Sequence, residues 1–344
     1  MPGYLIRKAR LLTALILAAG CLLLLVSCQQ QKEYTSQFAA LDTYITLKIY
    51  ADDDSVLADA ESEIKKIEEL ISVTKETSEI RRLNETGQIS ASELTADLVT
   101  KAIRMCDETD GAVNIAIYPL VKAWGFTTDN HQVPEKDIIE KLLNNIDYHE
   151  ITVDGNTISL NDGMMIDLGS IAKGYISDHL CQMFQANGIS SAIIDLGGNI
   201  QTLGKKPDGS PWRIGIQSPE SADIIGVLES AGEAVITSGG YQRFFEDDEG
   251  NIWWHILDPS TGYSARNGLI SVTVVGPEGY KCDALSTALF VMGTDKAIDF
   301  WKTNGGFEMI LVSDDNRIYI TPDLHKRFTP EENCAMEMKV ISDD

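Results

Sequence analysis

The sequence predicts a mixed α and β fold, and three observations carry that expectation. The composition is ordinary for a globular protein, with 44% hydrophobic and 23% charged residues. Several segments place apolar residues at three- and four-residue steps, the mark of an amphipathic helix. Others are short β-branched runs that end in glycine-marked turns, the mark of strands. With 344 residues the chain suffices for a large core without disulfide staples, as one large unit or two domains. Its 52 acidic against 28 basic residues give a net charge of −24. Such a surface repels phosphate backbones, so broad nucleic-acid binding is excluded, while a small phosphate ligand held through a metal ion is not.

The first segment reads as an address label. Arg7, Lys8 and Arg10 precede an apolar run from Leu11 to Val26, the layout of a secretory signal peptide. Leu25-Val26-Ser27-Cys28 resembles a bacterial lipobox, which assigns 1–27 to a leader and Cys28 to lipidation. An uncleaved anchor is the alternative, although the run is short of the roughly 20 residues a spanning helix needs. Residues 28–37 are expected as the lipidated Cys and a polar tether, and 38–344 as the folded domain. Removing 1–27 takes away three positive charges and no acid, so the mature chain carries −27.

Next, Asp54 or Ser55 can cap a helix with Leu57, Ala60, Ile64, Ile67 and Ile71 on one face, and a second helix carries Leu98, Ala102, Ile103 and Cys106 and stops at Gly111. Ile151 to Leu160 reads as a hairpin around Asp154-Gly155. Strands are expected at Ser191–Asp195, Trp212–Gln217, Ala234–Thr237 and Ile270–Val275, with a final hairpin from Phe307 to Thr321. Cys106, Cys181, Cys282 and Cys334 lack C-x-x-C spacing, so they read as buried small hydrophobes and not as a zinc site.

The turns hold the unusual residues. Asp167-Leu168-Gly169-Ser170 leads into a helix that carries Lys173; free N–H groups and a cation there suit an anion, and a capped helix with a solvated Lys is the alternative. Asp195-Leu196-Gly197-Gly198-Asn199 and Thr237-Ser238-Gly239-Gly240-Tyr241 are two further glycine-paired turns. In Cys282-Asp283-Ala284-Leu285-Ser286-Thr287 the carboxylate and a hydroxyl share one helix face, a hard-oxygen set suited to Mg²⁺ or else a helix cap. His255, just before the turn Asp258-Pro259-Ser260-Thr261-Gly262, is a candidate general base or a structurally bonded imidazole.

Together the series DLGSIAKGY (167–175), DLGGN (195–199), TSGGY (237–241), HILDPSTG (255–262) and DALSTAL (283–289) resembles the ApbE family of FAD:protein FMN transferases, over roughly Phe38 to the C-terminus. The resemblance implies a T-fold-type α/β unit with two related halves and a flavin cleft between them. It implies Mg²⁺-dependent transfer of FMN from FAD to a Thr hydroxyl of a partner flavoprotein, with release of AMP. Asp283 and Thr287, with Ser286 beside them, then match the metal-ligand positions, and the Ser170 main-chain carbonyl is a further ligand. Asp167 and Lys173 match FAD-contacting positions. Leu41, Asn84, Ala112, Val113, Asn114 and Leu257 fall at or near the flavin or adenine pocket. His255 matches the residue that activates the acceptor Thr.

The sequence departs from the family pattern at three places. Ser170 stands where Gly or Ala is usual; Val113-Asn114-Ile115-Ala116 lacks a usual carboxylate and hydroxyl; Gly240 stands where Asp is usual. Two rival functions remain: a hydrolase giving FMN and AMP, and a non-catalytic FAD-binding lipoprotein. The implied partners are FAD, an acceptor subunit of a membrane redox complex, and a membrane held through the lipid. The implied place is the bacterial cell envelope, on the periplasmic side in a Gram-negative cell.

Overall fold

The computed structural model describes residues 31–128 and 130–342; the expected leader and Cys28 lie outside them. Strands β1 (Lys32–Ala40) and β2 (Thr43–Ala51) pair antiparallel along their whole length. The tether expected over 28–37 therefore gives way to a strand from Lys32 onward, because each residue there finds a ladder partner on β2. The connecting pair Leu41-Asp42 has φ of 55° and 54°, the left-handed geometry that follows strand twist in a two-residue hairpin. Neither residue is Gly or Asn, so the tip carries backbone strain.

Helices α1 (Ser55–Ile71), α2 (Glu79–Thr86) and α3 (Glu93–Glu108) follow. The predicted apolar face of α1 is buried, from Leu57 to Ile71. Its first turn is fixed by Asp53, whose Oδ1 accepts the Ser55 N–H at 3.0 Å, while Asp54 makes no side-chain cap. Short helices α4 (Tyr118–Ala123) and α5 (Lys136–Leu142) come next. Strands β3 (Gln88–Ser90), β4 (Thr152–Asp154) and β5 (Thr157–Ser159) make a small sheet. The expected 151–160 hairpin is present, although its loop is Gly155-Asn156.

The main sheet takes β6 (Ala192–Leu196), β7 (Asn199–Leu203), β10 (Ala234–Gly239), β13 (Leu269–Gly276), β14 (Glu308–Ser313), β15 (Arg317–Ile320) and β17 (Glu337–Val340), in the nine-stranded order β1-β2-β6-β7-β10-β13-β14-β15-β17. Only the β15–β17 pair is parallel. Helices α6 (Ala172–Ala186), α7 (Gly279–Met292) and α8 (Thr294–Asn304) cover one face, and α9 (Pro322–His325) sits near its end. The other face is covered in part by a three-stranded sheet of β8 (Trp212–Gln217), β9 (Ile224–Ser230) and β16 (Phe328–Pro330). On β14 the pleat sends Met309 and Leu311 to the large helix-side core and Ile310 and Val312 to the smaller one. Two covered faces explain why this strand reads as an unbroken apolar run. A last ribbon pairs β11 (Phe244–Glu246) with β12 (Ile252–Trp254). The four cysteines Cys106, Cys181, Cys282 and Cys334 are free thiols, in keeping with their reading as packing residues.

Register brings the chemistry-bearing turns to one end. Ile45 pairs with Leu196, and Asn199 with Ile236, so the 41–42, 197–198 and 239–243 turns are neighbours in space. Among the described residues no helix is long and apolar enough to cross a membrane.

Candidate active site

Helices α6 and α7 cross at Gly174 and Gly279. A Cβ on Gly174 would lie 2.2 Å from Gly279 O, and one on Gly279 would lie 2.6 Å from Gly174 O, so only glycine lets the two backbones touch. The contact places each helix start beside a carboxylate of the other. Asp283 Oδ2 accepts the Gly174 N–H at 2.8 Å. In return, the Asp178 carboxylate accepts the Gly279 and Tyr280 N–H groups at 2.8 and 3.0 Å. Asp283 is thus no cap of its own helix but caps α6 from across the crossing, where the helix dipole favours an anion. A regular helix would pair the Gly174 N–H with the carbonyl four residues back, that of Ser170. Asp283 takes that N–H instead, and no backbone donor among the described residues reaches Ser170 O.

The hydroxyls predicted beside Asp283 part company. Ser286 is fully buried, and its Oγ lies 2.8 Å from Asp283 O and 2.7 Å from Ser238 Oγ, so it ties α7 to β10. Thr287 is half-buried, and its Oγ1 stands 3.4 Å from Ser238 Oγ.

Charge converges here as well. Burial pushes the Asp283 carboxyl up, against the Lys173 ammonium and the Gly174 N–H. Asp167 is raised by burial too, opposed by the Gly169 N–H at 2.6 Å and by the Arg243 guanidinium. Asp195 is raised by burial and opposed by the Gly198 and Gly197 N–H groups and by Lys173. Asp283 and Asp195 thus share the Lys173 ammonium while Asp167 faces the Arg243 guanidinium, and among the described residues no three His, Cys, Asp or Glu side chains stand together as a metal-holding group. Beside them Asn199 is buried at 2% exposure. Its amide lies close enough to favour the charged form of Asp283, yet neither Nδ2 nor Oδ1 makes a hydrogen bond of good geometry. A buried amide left without partners is what a site prepared for a polar ligand presents.

His255 sits at the mouth of the β11–β12 ribbon. Its Nδ1 is 3.2 Å from Arg243 O, which also accepts the His255 main-chain N–H at 3.1 Å. A carbonyl only accepts, so the proton is on Nδ1 and Nε2 keeps its lone pair. The ring is closely surrounded yet partly open to solvent. Burial, with the cations Arg243 and Lys173, lowers its pKa to about 4, so it is a neutral base at pH 7.

Other predicted positions serve the scaffold. The Asn84 amide clamps Ile166, accepting its N–H at 2.7 Å and donating to its carbonyl at 2.8 Å, which holds the irregular segment leading to Asp167. Asn114 donates to Ile146 O at 2.8 Å and accepts from Ala116 N–H at 2.9 Å. Val113 and Leu257 point into the core and Ala112 packs at its margin, so the first two reach a ligand only through backbone. Leu41 tops the β1–β2 hairpin, next to Asp42, whose carboxylate is 3.9 Å from Arg243.

Arg243 and Asn199 carry no warning in spacing alone, although Asn199 closes a motif already singled out. The glycine at 240 has a local cause: a Cβ there would lie 3.0 Å from the Trp254 ring. That indole is held by Ala265 O at 3.1 Å and covered by the Arg266 guanidinium at 4.3 Å, so it fills the space an Asp side chain would need.

The sequence profile of the ApbE family matches residues 41–311. A FAD:protein FMN transferase of Klebsiella pneumoniae (strain 342) is 33% identical over 305 residues, covering 86% of this chain and 94% of that protein. Its counterpart in Escherichia coli (strain K12) is 31% identical over 281 residues, covering 77% and 80%. Among solved structures, the ApbE protein of Thermotoga maritima superimposes with a TM-score of 0.81 at 31% identity, over 86% of this chain and 99% of that one. The flavin transferase ApbE of Vibrio cholerae gives 0.77 at 26% identity, over the same shares. Matched along most of its length in sequence and in fold, the chain belongs to the ApbE family.

Proposed function

We propose that this protein is an enzyme that transfers the FMN part of FAD to a Thr hydroxyl of a protein acceptor and releases AMP. The observation that carries the proposal is the Lys173 ammonium standing near enough to act on both Asp283 and a neutral His255. In the reaction the acceptor oxygen bonds to the FMN phosphorus, the pyrophosphate P–O bond breaks, and AMP leaves with that electron pair. The hydroxyl is a poor nucleophile, so its proton must pass to a base. His255 Nε2 is free to take it, and Arg243 O holds the imidazole in that tautomer. The Lys173 ammonium lies where negative charge develops on the phosphates.

Magnesium fits the donors present: the Asp283 carboxylate, the Thr287 hydroxyl and the Ser170 carbonyl are hard oxygens, and a partly hydrated Mg²⁺ needs few protein ligands. The unpartnered Asn199 amide supports a further polar group at this place. When bound, the ion neutralises pyrophosphate charge. Ser286 supports this set through its bond to Asp283 O. Asp167 and Lys173 serve FAD, with Leu41 on the neighbouring β1–β2 turn.

The test incubates the protein with FAD and Mg²⁺, with and without a flavoprotein that offers a Thr. A covalent FMN adduct by mass spectrometry is expected; free FMN alone indicates a hydrolase, and unchanged FAD indicates a binder. The lipobox supports envelope anchoring through Cys28, and with it an acceptor in a membrane redox complex. Cys28→Ser should leave the membrane fraction with activity intact; a mutant that stays with the membrane would point to an uncleaved anchor.

A further inference from the structure

A cavity of about 570 Å³ lies beyond the α6–α7 crossing, lined by Asp97, Lys101, Tyr175, Asp178, Gln201 and Tyr280 among others and not by Lys173 or Asp283. Its charges are unevenly matched. Asp97 pairs with Lys101, and Glu278 at the rim pairs with Lys281. Asp178 accepts the two N–H groups of α7 and has no cation in ion-pair range among the described residues, the Lys101 ammonium acting on it from farther away. Burial accordingly raises its carboxyl to about 6.

Gln201 is 4% exposed. One end of its amide meets Ser177 Oγ at 3.4 Å. That hydroxyl's single proton is directed to Gly174 O at 2.8 Å, and the other end of the amide has no partner among the described residues. Two aromatic faces complete the wall: Lys101 Nζ stands 5.5 Å from the Tyr175 ring and 5.8 Å from the Tyr280 ring. Tyr175 OH is fixed on Asp97 at 2.9 Å.

We propose that this cavity binds a small hydroxylated primary amine of the amino-sugar class. Its ammonium would sit on Asp178, a hydroxyl on the free end of the Gln201 amide, and its C–H face against Tyr175 and Tyr280. A half-buried carboxylate with no cation in ion-pair range has room for one. An amide with one unused end accepts a hydroxyl in either orientation. A neutral sugar lacks the first group and a simple polyamine lacks the second.

The probe is glucosamine hydrochloride, titrated into the full chain in detergent at pH 7 and followed by calorimetry, with N-acetylglucosamine and spermidine as comparisons. Saturable binding of glucosamine is expected, weaker by at least about tenfold for the N-acetyl form, which lacks the charge. Asp178→Asn should weaken it to the same degree. Asp178 also caps α7, so circular dichroism checks that variant, and Gln201→Leu, outside the helix caps, must weaken binding too. Equal affinity for the N-acetyl form, unchanged affinity of folded Gln201→Leu, tighter binding of spermidine, or no saturable heat up to about 10 mM glucosamine would each overturn the proposal.

Discussion

Asp283 has two jobs in the structure, and two substitutions separate them. As a cap it accepts the Gly174 N–H at 2.8 Å; as a charge it is buried at 5% exposure beside Lys173. Asp283→Asn keeps a carbonyl oxygen for the Gly174 N–H and removes the charge. Asp283→Ala removes both. The cap bond is worth about 1 kcal/mol, and leaving the N–H unmet in a buried crossing raises the loss toward roughly 1–3 kcal/mol. The Ser286 bond is to the Asp283 main chain, so it survives in either variant. Thermal melts should therefore place Asp283→Asn within a few degrees of wild type and Asp283→Ala clearly below it. Transfer rates, followed by the fluorescence of covalently flavinylated acceptor, should fall in both by about a thousandfold or more. That corresponds to roughly 4 kcal/mol of lost transition-state stabilisation, well beyond the cap. Raising Mg²⁺ or supplying Mn²⁺ should recover part of the rate in Asp283→Asn. An Asn variant that turns over at the wild-type rate would refute the reasoning and leave Asp283 a cap alone.

Three further outcomes follow from the geometry. Lys173→Met should weaken FAD binding more at low than at high salt, because a half-buried ammonium acts through screened attraction; equal affinity with wild type at both ionic strengths would show Lys173 to be a solvated helix residue. His255 has its folded pKa lowered from 6.5 to about 4, so between those values the unfolded chain binds more protons and stability falls as pH drops. Its contribution is present above about pH 6.5 and lost toward pH 4. His255→Gln should show a shallower acid-side decline in melting temperature and almost no transfer to acceptor, and an unchanged pH slope would contradict the burial argument. Gly174→Ala pushes a Cβ to 2.2 Å from Gly279 O; overpacking of this kind costs about 1–3 kcal/mol or more. Melting should drop and FAD binding should weaken with it, and a variant as stable and active as wild type would mean that the crossing opens freely.

Much was legible in the sequence because it is written locally. The α1 stripe follows from side-chain period, the 151–160 and 307–321 hairpins follow from short apolar runs around turn residues, and the site motifs stand beside glycine turns whose spacing needs no partner. Their order along the chain identified the family. Other features depend on what folds against what. Lys32 to Gln37 looks like polar tether until β2 supplies its ladder. Asp283 looks like the start of its own helix until α6 arrives to be capped by it. Nothing local marks the amides of Asn84 and Asn114 as the groups that hold Ile166 and Ile146. Arg243 becomes a holder of His255 only through its carbonyl, an atom every residue has and no side-chain pattern marks. Most helices and several strands, the motifs and the lineage are legible in local sequence. The tertiary structure alone decided which carboxylate caps which helix, which hydroxyl stays open and which amide lacks a partner, because hydrogen bonding and desolvation depend on atoms brought together from more than a hundred residues apart, as Gly174 and Asp283 are.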